Sequence, residues 1–371
     1  MRILILIQCS NLGGMEQYAL LLGSELKELG HKLEFLSLND AGKLFHLLES
    51  KGIATKAVGY RGRWGWRSFF PLKRAINDCQ PDSIVMVGHN LMASIAIGAT
   101  CRTTRVLSLH YHHRGVNPTL VWKAVYLIAS IQFRRIIFPT EFIRNEASEF
   151  LPDFSDRRLP KLVVLPYPFR EQQKPSISEK TQARGTFGVS PNQLVVGNAG
   201  WLIPRKRWDI FLNVAALVGE AISDVVFLIA GDGPDRADLE ARAMQLGIKN
   251  SVKFLGWKDD LNGFYESLDV LLFVSDWDAL GRTPAEAMSF GVPVVASVEN
   301  GGLSELINSE AVGFLTNHHD VKTIAGNVVR LLKDPEFAEG MGLRGQRRVR
   351  ETGDSRRHAH AILDLLVHPE E

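Results

Sequence analysis

Cysteine is scarce in this chain. The 371 residues hold three, Cys9, Cys79 and Cys101, widely spaced and without a Cys-x-x-Cys pair. Neither a disulfide framework nor a thiolate metal site is expected, and a reducing cytosolic setting fits. Long apolar runs are also missing. Nothing approaches the roughly 20 residues that cross a bilayer, the nearest stretch being 125–131. Nor is there an excess of charge of one sign. Forty-three basic against 41 acidic residues leave a net charge of +2, which is not the footprint of a dedicated nucleic-acid binder. The opening run Arg2-Ile3-Leu4-Ile5-Leu6-Ile7 is too short for a signal-peptide core and lacks a small-residue cleavage site, so it reads as a first strand. A dinucleotide Gly-x-Gly-x-x-Gly fingerprint does not follow it.

What is present is alternation. Apolar runs at 3–7, 33–38, 84–87 and 106–109 are separated by amphipathic stretches at 16–29, 43–50, 91–99 and 120–131. Strands regularly separated by helices imply right-handed βαβ units and a parallel, doubly wound sheet. A polar linker from 167 to about 180, punctuated by Pro168 and Pro175, interrupts the pattern. Beyond it the alternation resumes, with apolar runs at 194–198, 225–229, 252–255, 270–274 and 292–296. A length near twice that of an ordinary domain, with 45% hydrophobic residues, agrees with two cores. The fold class expected is α/β: two Rossmann-like domains, 1–168 and 169–353, whose sheet edges face a cleft suited to a ligand. The last stretch, 354–371, reads as a helix.

The most informative stretch is Ser275 to Glu286. It follows the apolar run 270–274, read as a strand ending at Val274; Gly281 breaks the run, and Pro284-Ala285-Glu286 opens a helix. A strand, a tight loop and a helix N-terminus gather backbone N–H groups and the positive end of a helix dipole at one point, a setting for phosphate. Asp278 and Glu286 bracket the loop, and carboxylates beside a phosphate site serve as acceptors for sugar hydroxyls. Phosphate plus hydroxyls points to a nucleotide sugar. The plain alternative is an N-cap and an ordinary helix start. Asp276-Trp277-Asp278 also imitates an Asp-x-Asp metal motif, but Asp278 is accounted for by the pair of acids and Lys206 brings positive charge without metal.

Elsewhere, Gly13 and Gly14 lie between the first strand and first helix, where backbone can approach a ligand or merely turn. Arg205, Lys206 and Arg207 follow another strand, and cations at a strand edge neutralise a diphosphate as its charge grows. His110 ends the strand at 105–109. Tyr111, His112 and His113 come next, but neighbours on an extended strand end point in alternating directions and do not converge on one ion. Residues 61–74, RGRWGWRSFFPLKR, interleave basic and aromatic side chains, a composition for peripheral contact with the inner face of a membrane or for a partly packed surface helix and loop. No nucleic-acid module accompanies it.

These motifs together resemble family 4 retaining glycosyltransferases of the GT-B fold. The resemblance rests on Gly13-Gly14-Met15-Glu16, on Lys206, on Gly231-Asp232-Gly233-Pro234, on Phe254-Leu255-Gly256-Trp257, and on Asp278 followed after seven residues by Glu286 and the run to Ala296. It departs from the family at three places. Asp278 stands for Glu, Trp201 for the expected Arg, and Arg207 for the Gly of Lys-Gly. The resemblance implies transfer of a sugar from UDP-glucose or a related nucleoside diphosphate sugar to a glycan or lipid-linked saccharide, with retention and without a divalent metal or other cofactor. It implies that His110 and Asp278 lie at the donor sugar and that Lys206 meets the diphosphate, with Arg205 as substitute for the lost Arg. Gly13, Gly14, Gly231 and Trp257 border the donor, backbone around Trp257 reading the base. The N–H groups of Leu280, Gly281, Arg282 and Thr283 meet sugar and phosphate, and Glu286 holds the ribose. It also implies that the terminal helix packs back on the first domain, which takes the acceptor. A nucleotide-sugar epimerase and a degenerate, non-catalytic binder share the architecture.

Overall fold

The structure, a computed structural model, describes residues 1–59, 66–100, 103–110, 119–151, 160–316 and 320–367. Cys101, His112, His113 and the first part of the basic and aromatic segment, including Arg61, Arg63 and Trp64, lie outside the described residues. The chain divides into two compact units, 1–168 with 353–371, and 169–352.

In the first unit the elements run β1 (Arg2–Ile7), α1 (Gly14–Glu28), β2 (Lys32–Ser37), α2 (Lys43–Ser50), β3 (Ala54–Ala57), α3 (Phe69–Cys79), β4 (Ser83–Val87), α4 (Leu91–Gly98), β5 (Thr104–Ser108), α5 (Thr119–Gln132), β6 (Arg135–Phe138), α6 (Glu141–Ser148) and β7 (Lys161–Val164). All seven strands are parallel, in the order β3-β2-β1-β4-β5-β6-β7. Central β1 is apolar because both its faces are covered: Ile3 to Ile7 are all at most 2% exposed. The chain reverses its direction of growth across the sheet between β3 and β4, on either side of β1, which brings the loop after β1 to the topological switch point.

The second unit contains α7 (Ile177–Thr186), β8 (Leu194–Ala199), α8 (Trp208–Ala221), β9 (Val225–Ala230), α9 (Arg236–Gln245), β10 (Val252–Gly256), α10 (Asn262–Ser267), β11 (Val270–Asp278), α11 (Arg282–Ser289), β12 (Val294–Gly301), α12 (Leu303–Leu306), β13 (Phe314–Thr316), α13 (Val321–Lys333) and α14 (Pro335–Gly353). Its sheet, β10-β9-β8-β11-β12-β13, is again parallel. Two apolar clusters, one centred on Phe211, Phe227 and Leu272 and one on Phe264, Phe273 and Met288, fill the space between sheet and helices. The strand read as ending at Val274 continues to Asp278, because β12 also runs on, pairing Trp277 with Asn300 and Asp278 with Gly301. Ladder hydrogen bonds override the polar composition of Ser275 to Asp278.

The final helix, α15 (Ser355–Val367), belongs to the first unit. Ser355 Oγ donates to Glu25 Oε1 at 2.8 Å, and Arg135 Nη1 donates to the Leu365 carbonyl at 3.1 Å. His358 is buried against α1: its Nδ1 lies 3.0 Å from the Pro166 carbonyl and its Nε2 3.1 Å from Tyr18 Oη. Among the described residues no helix is long and apolar enough to cross a membrane.

Burial pulls the His358 imidazole from its ordinary 6.5 down to about 4, with the Pro166 hydrogen bond opposing. The unfolded ring therefore takes up a proton that the folded ring refuses, and stability present above pH 6.5 is lost as pH falls through that window towards 4. The loss expected is roughly 3 kcal/mol. Amide hydrogen exchange of α15, corrected for intrinsic rates, should show protection falling between pH 6.5 and 4 in the natural protein and a much flatter profile in His358→Phe.

Candidate functional site

In the second unit the carboxyl ends of β8 and β11 bring most of the candidate residues together. After β8, Gly200 and Trp201 lead into a 3-10 turn at Pro204–Lys206, and Arg207 then enters α8 with φ 43° and ψ 45°. That left-handed geometry is costly for a side chain with a Cβ. It explains why a Gly is usual in the Lys-Gly pair that this position resembles. Arg207 is anchored instead by ion pairs to Asp209 and Asp276, each at 3.0 Å.

Lys206 and Asp278 are the centre of the cluster. Lys206 Nζ lies 2.6 Å from Asp278 Oδ2 and 4.8 Å from the Phe273 ring centroid. Asp278 Oδ1 accepts from the Gly281 N–H at 2.8 Å and the Leu280 N–H at 3.4 Å. Burial by itself raises the Asp278 carboxyl, but Lys206, the Gly281 N–H and Arg205 outweigh it and hold the group below its usual range. Two of the backbone groups expected to meet sugar and phosphate are thus engaged by the chain's own carboxylate. Gly281 caps α11 with φ 80°, and a Cβ there would meet Leu303 Cδ1 at 2.8 Å, so the loop requires glycine.

Arg205 reaches the same corner. Its guanidinium lies 4.1 Å from the Trp277 ring centroid and donates to the Trp277 carbonyl at 3.0 Å. Thr283 Oγ1 donates to the Ala199 carbonyl at 3.1 Å, tying the start of α11 to the end of β8. One turn further along α11, Glu286 accepts from Arg282 Nε at 2.5 Å and from Tyr265 Oη at 2.6 Å. Burial, with Glu286 adding to it, drives the Tyr265 hydroxyl well above its ordinary range, so it acts as a neutral donor. Gly231 sits against Gly200, where a Cβ would come within 1.8 Å of the Gly200 carbonyl oxygen. Trp257 and Trp201 stand as a tilted pair 4.6 Å apart, 38% and 53% exposed.

The remaining candidates belong to the first unit. Gly13 precedes α1 in extended geometry, and the carbonyl of Gly14 accepts from Tyr167 Oη at 2.6 Å. His110 follows β5, with ring centroids of Tyr18 and Tyr167 at 4.5 and 5.0 Å and Ser108 Oγ 2.9 Å from its Nε2. Tyr18 and Tyr167 therefore join the Gly-Gly loop to His110. Among the described residues no three His, Cys, Asp or Glu side chains are grouped to hold a metal ion. The two acids of Asp276-Trp277-Asp278 go to Arg207 and Lys206.

Two families match the sequence, "Glycosyltransferase Family 4" over residues 12–158 and "Glycosyl transferases group 1" over 179–348. The chain belongs to the family-4-like glycosyltransferases, and its fold is GT-B. Among relatives of the chain, 2-deoxystreptamine glucosyltransferase of Streptomyces kanamyceticus is 33% identical over 171 residues, 45% of this chain and 43% of that protein. The chain thus spans less than half the length of that curated relative. A Campylobacter jejuni alpha-1,4-N-acetyl-D-galactosaminyltransferase, named for an undecaprenol diphosphate-linked acceptor, is 25% identical over 91% of this chain and 90% of its own. The structure of Anabaena Alr3699/HepE in complex with UDP-glucose superposes with a TM-score of 0.85 at 21% identity, covering 99% of each chain.

Several partners of the candidate residues were not visible in the sequence. Tyr265 on Glu286, Trp277 under Arg205, and Tyr18, Ser108 and Tyr167 around His110 carry no motif. Only the exposure of Trp201 beside a second indole had a signal, the departure from the family's Arg.

Arg207 supplies a test of how this site is built. Arg207→Gly relieves the positive φ while losing two part-exposed ion pairs, so unit 2 should stay within about 1 kcal/mol of the natural protein. Arg207→Ala keeps the strain and loses the pairs, and should be less stable than the glycine variant by about 1 kcal/mol. Denaturant unfolding of both variants checks the difference.

Proposed function

We propose that the chain transfers a hexosyl group from a nucleoside diphosphate sugar, UDP-glucose or a related UDP-sugar, to a hydroxyl of a glycan or lipid-linked saccharide, with retention of configuration. The observation that carries this reading is the convergence of Lys206, Arg205, Asp278 and the start of α11 at the carboxyl ends of β8 and β11. An ammonium with three protons gives one to Asp278 and keeps others for a diphosphate. Glu286, oriented by Tyr265 and Arg282, is assigned to the ribose hydroxyls. The part-exposed indoles of Trp201 and Trp257 offer aromatic surface to the base, beside the backbone of Trp257. His110, Gly13 and Gly14 are assigned to the donor sugar side. The Anabaena protein solved with UDP-glucose and the glucosyltransferase name of the Streptomyces relative support the donor.

In this reaction the bond from the anomeric carbon to the diphosphate oxygen breaks, and the acceptor oxygen bonds to the same face of the sugar. The acceptor proton passes to the departing diphosphate. Lys206 and Arg205 stabilise the charge that develops there without a divalent metal. A panel of nucleoside diphosphate sugars, assayed for nucleotide release with and without chelator, tests the proposal. Release from one donor is expected to be insensitive to chelator and to fall by roughly 100-fold in Lys206→Ala and in Glu286→Ala. Loss of release on chelation would refute metal independence, and interconversion of the donor without an acceptor would indicate an epimerase. A second reading, binding without turnover, is favoured by the hold of Asp278 on Lys206 and two loop N–H groups. Tight nucleotide binding with no release from any donor would select it.

The acceptor is assigned to the first unit, together with peripheral membrane contact. Support comes from α5, where Leu120, Ala124, Leu127 and Ile131 form one exposed stripe, Leu120 and Ile131 being 79% and 71% exposed. Lys123 on α5 and Arg134 just after it are exposed as well; α4 packs on α5 and exposes Ile95, and α3 packs on α4 and exposes Phe70. The lipid-linked acceptor in the name of the Campylobacter relative agrees with such a site. Sedimentation with anionic vesicles should carry down the natural protein. Replacing Leu120 and Ile131 together by Ser should weaken binding about tenfold or more, with donor hydrolysis unchanged. Equal sedimentation of both proteins would remove the membrane assignment.

A further inference from the structure

A buried chain of hydrogen bonds in the first unit ends on His110. It begins at the Pro166 carbonyl, which lies 3.0 Å from His358 Nδ1 on α15. His358 Nε2 is 3.1 Å from Tyr18 Oη on α1, Tyr18 Oη is 3.4 Å from Ser108 Oγ at the end of β5, and Ser108 Oγ is 2.9 Å from His110 Nε2. Tyr18, Ser108 and His358 are respectively 1%, 0% and 6% exposed, so water does not compete for these bonds.

The direction of every bond follows from its first member. A carbonyl only accepts, so His358 must carry its proton on Nδ1. Burial holds that ring neutral, at about 4, and its Nε2 is then an acceptor that takes the single proton of Tyr18. The Tyr18 hydroxyl, which burial raises to about 12, stays protonated and has spent its proton, so its oxygen accepts from Ser108. Ser108 in turn has one proton and has given it away. Its remaining lone pair faces His110.

We propose that His358, Tyr18 and Ser108 are positioning residues that hold the His110 ring with its proton on Nε2, pointed at Ser108. In its neutral form His110 is thereby left with Nδ1 as its accepting nitrogen, and a group meeting that nitrogen must be a donor. The α15 helix, 340 residues away from α1 in sequence at this contact, thus sets the protonation pattern of a residue at the end of β5. Nothing in this inference depends on turnover. Only its bearing on the donor sugar rests on the function proposed above.

The test reads the tautomer directly, in substrate-free protein. With the eleven histidines labelled with nitrogen-15, the His110 signals are identified by their absence in His110→Gln. At a pH high enough for the ring to be neutral, the natural protein should show His110 with the proton on Nε2 alone. In His358→Phe the Tyr18 hydroxyl loses its acceptor and turns to Ser108, which then donates to His110. In Tyr18→Phe, Ser108 loses its acceptor and is released to do the same. Each variant should show a Nδ1-protonated form at about a tenth of the population or more. Tyr18→Phe keeps the ring packing, so a folding defect in the histidine variant does not remove the test. A merely structural role would change hydrogen exchange in α15 and leave the His110 tautomer alone. An unchanged single tautomer in folded Tyr18→Phe, or a Nδ1-protonated ring in the natural protein, would overturn the proposal. Absence of nucleotide release from the natural protein, with the tautomer pattern as expected, would count against the assigned function and leave this assignment standing.

Discussion

Parallel strand pairing is the constraint on which the candidate residues depend. In a parallel sheet each strand must be re-entered by a crossover, so all carboxyl ends emerge at one edge and the loops there carry the N–H groups that the ladder leaves unused. In the second unit β8, β11 and β12 deliver Lys206, Asp278 and the α11 loop to that edge. Registry, rather than any property of the individual side chains, makes residues 72 positions apart into an ion pair.

At that edge charge is balanced from within. Asp278 supplies an anion to Lys206 and to two loop amides at once, while Asp276 does the same for Arg207. Alternate residues of a strand share a face, and the extension of β11 through Asp278 places the two acids so that each meets its own cation. The site is therefore held in shape by internal charge-assisted hydrogen bonds, and an incoming phosphate meets a lysine already oriented.

Much of the fold was legible because both sheets are buried on both faces. β1, β4, β9 and the first part of β11 are continuous apolar runs of the length of a strand, and the helices between them show their apolar stripes. β3, with the sequence ATKA, was not legible: a short edge strand with one neighbour needs no apolar run. The polar end of β11 was misread for a related reason, since its place in the ladder comes from β12 and not from its composition. At the candidate site, the acids, the cations and the glycines could be picked out from spacing and resemblance, but their partners could not. Tyr265 and Glu286 are 21 residues apart, and Tyr18 and His358 are 340 apart. No local pattern encodes a contact made by folding at such separations.

The return of α15 to the first unit has a consequence for how the gene can be cut. In chain topology the second unit, 169–352, is an uninterrupted insertion into the first, which is assembled from the two segments that flank it. The second unit can be excised as one continuous piece. The first cannot: a fragment stopping at Pro168 keeps its whole seven-stranded sheet yet loses the helix that covers α1, leaving the Tyr18 hydroxyl without His358 and Arg135 without the Leu365 carbonyl. Joining Pro168 directly to the start of α15 would be the way to make that half by itself.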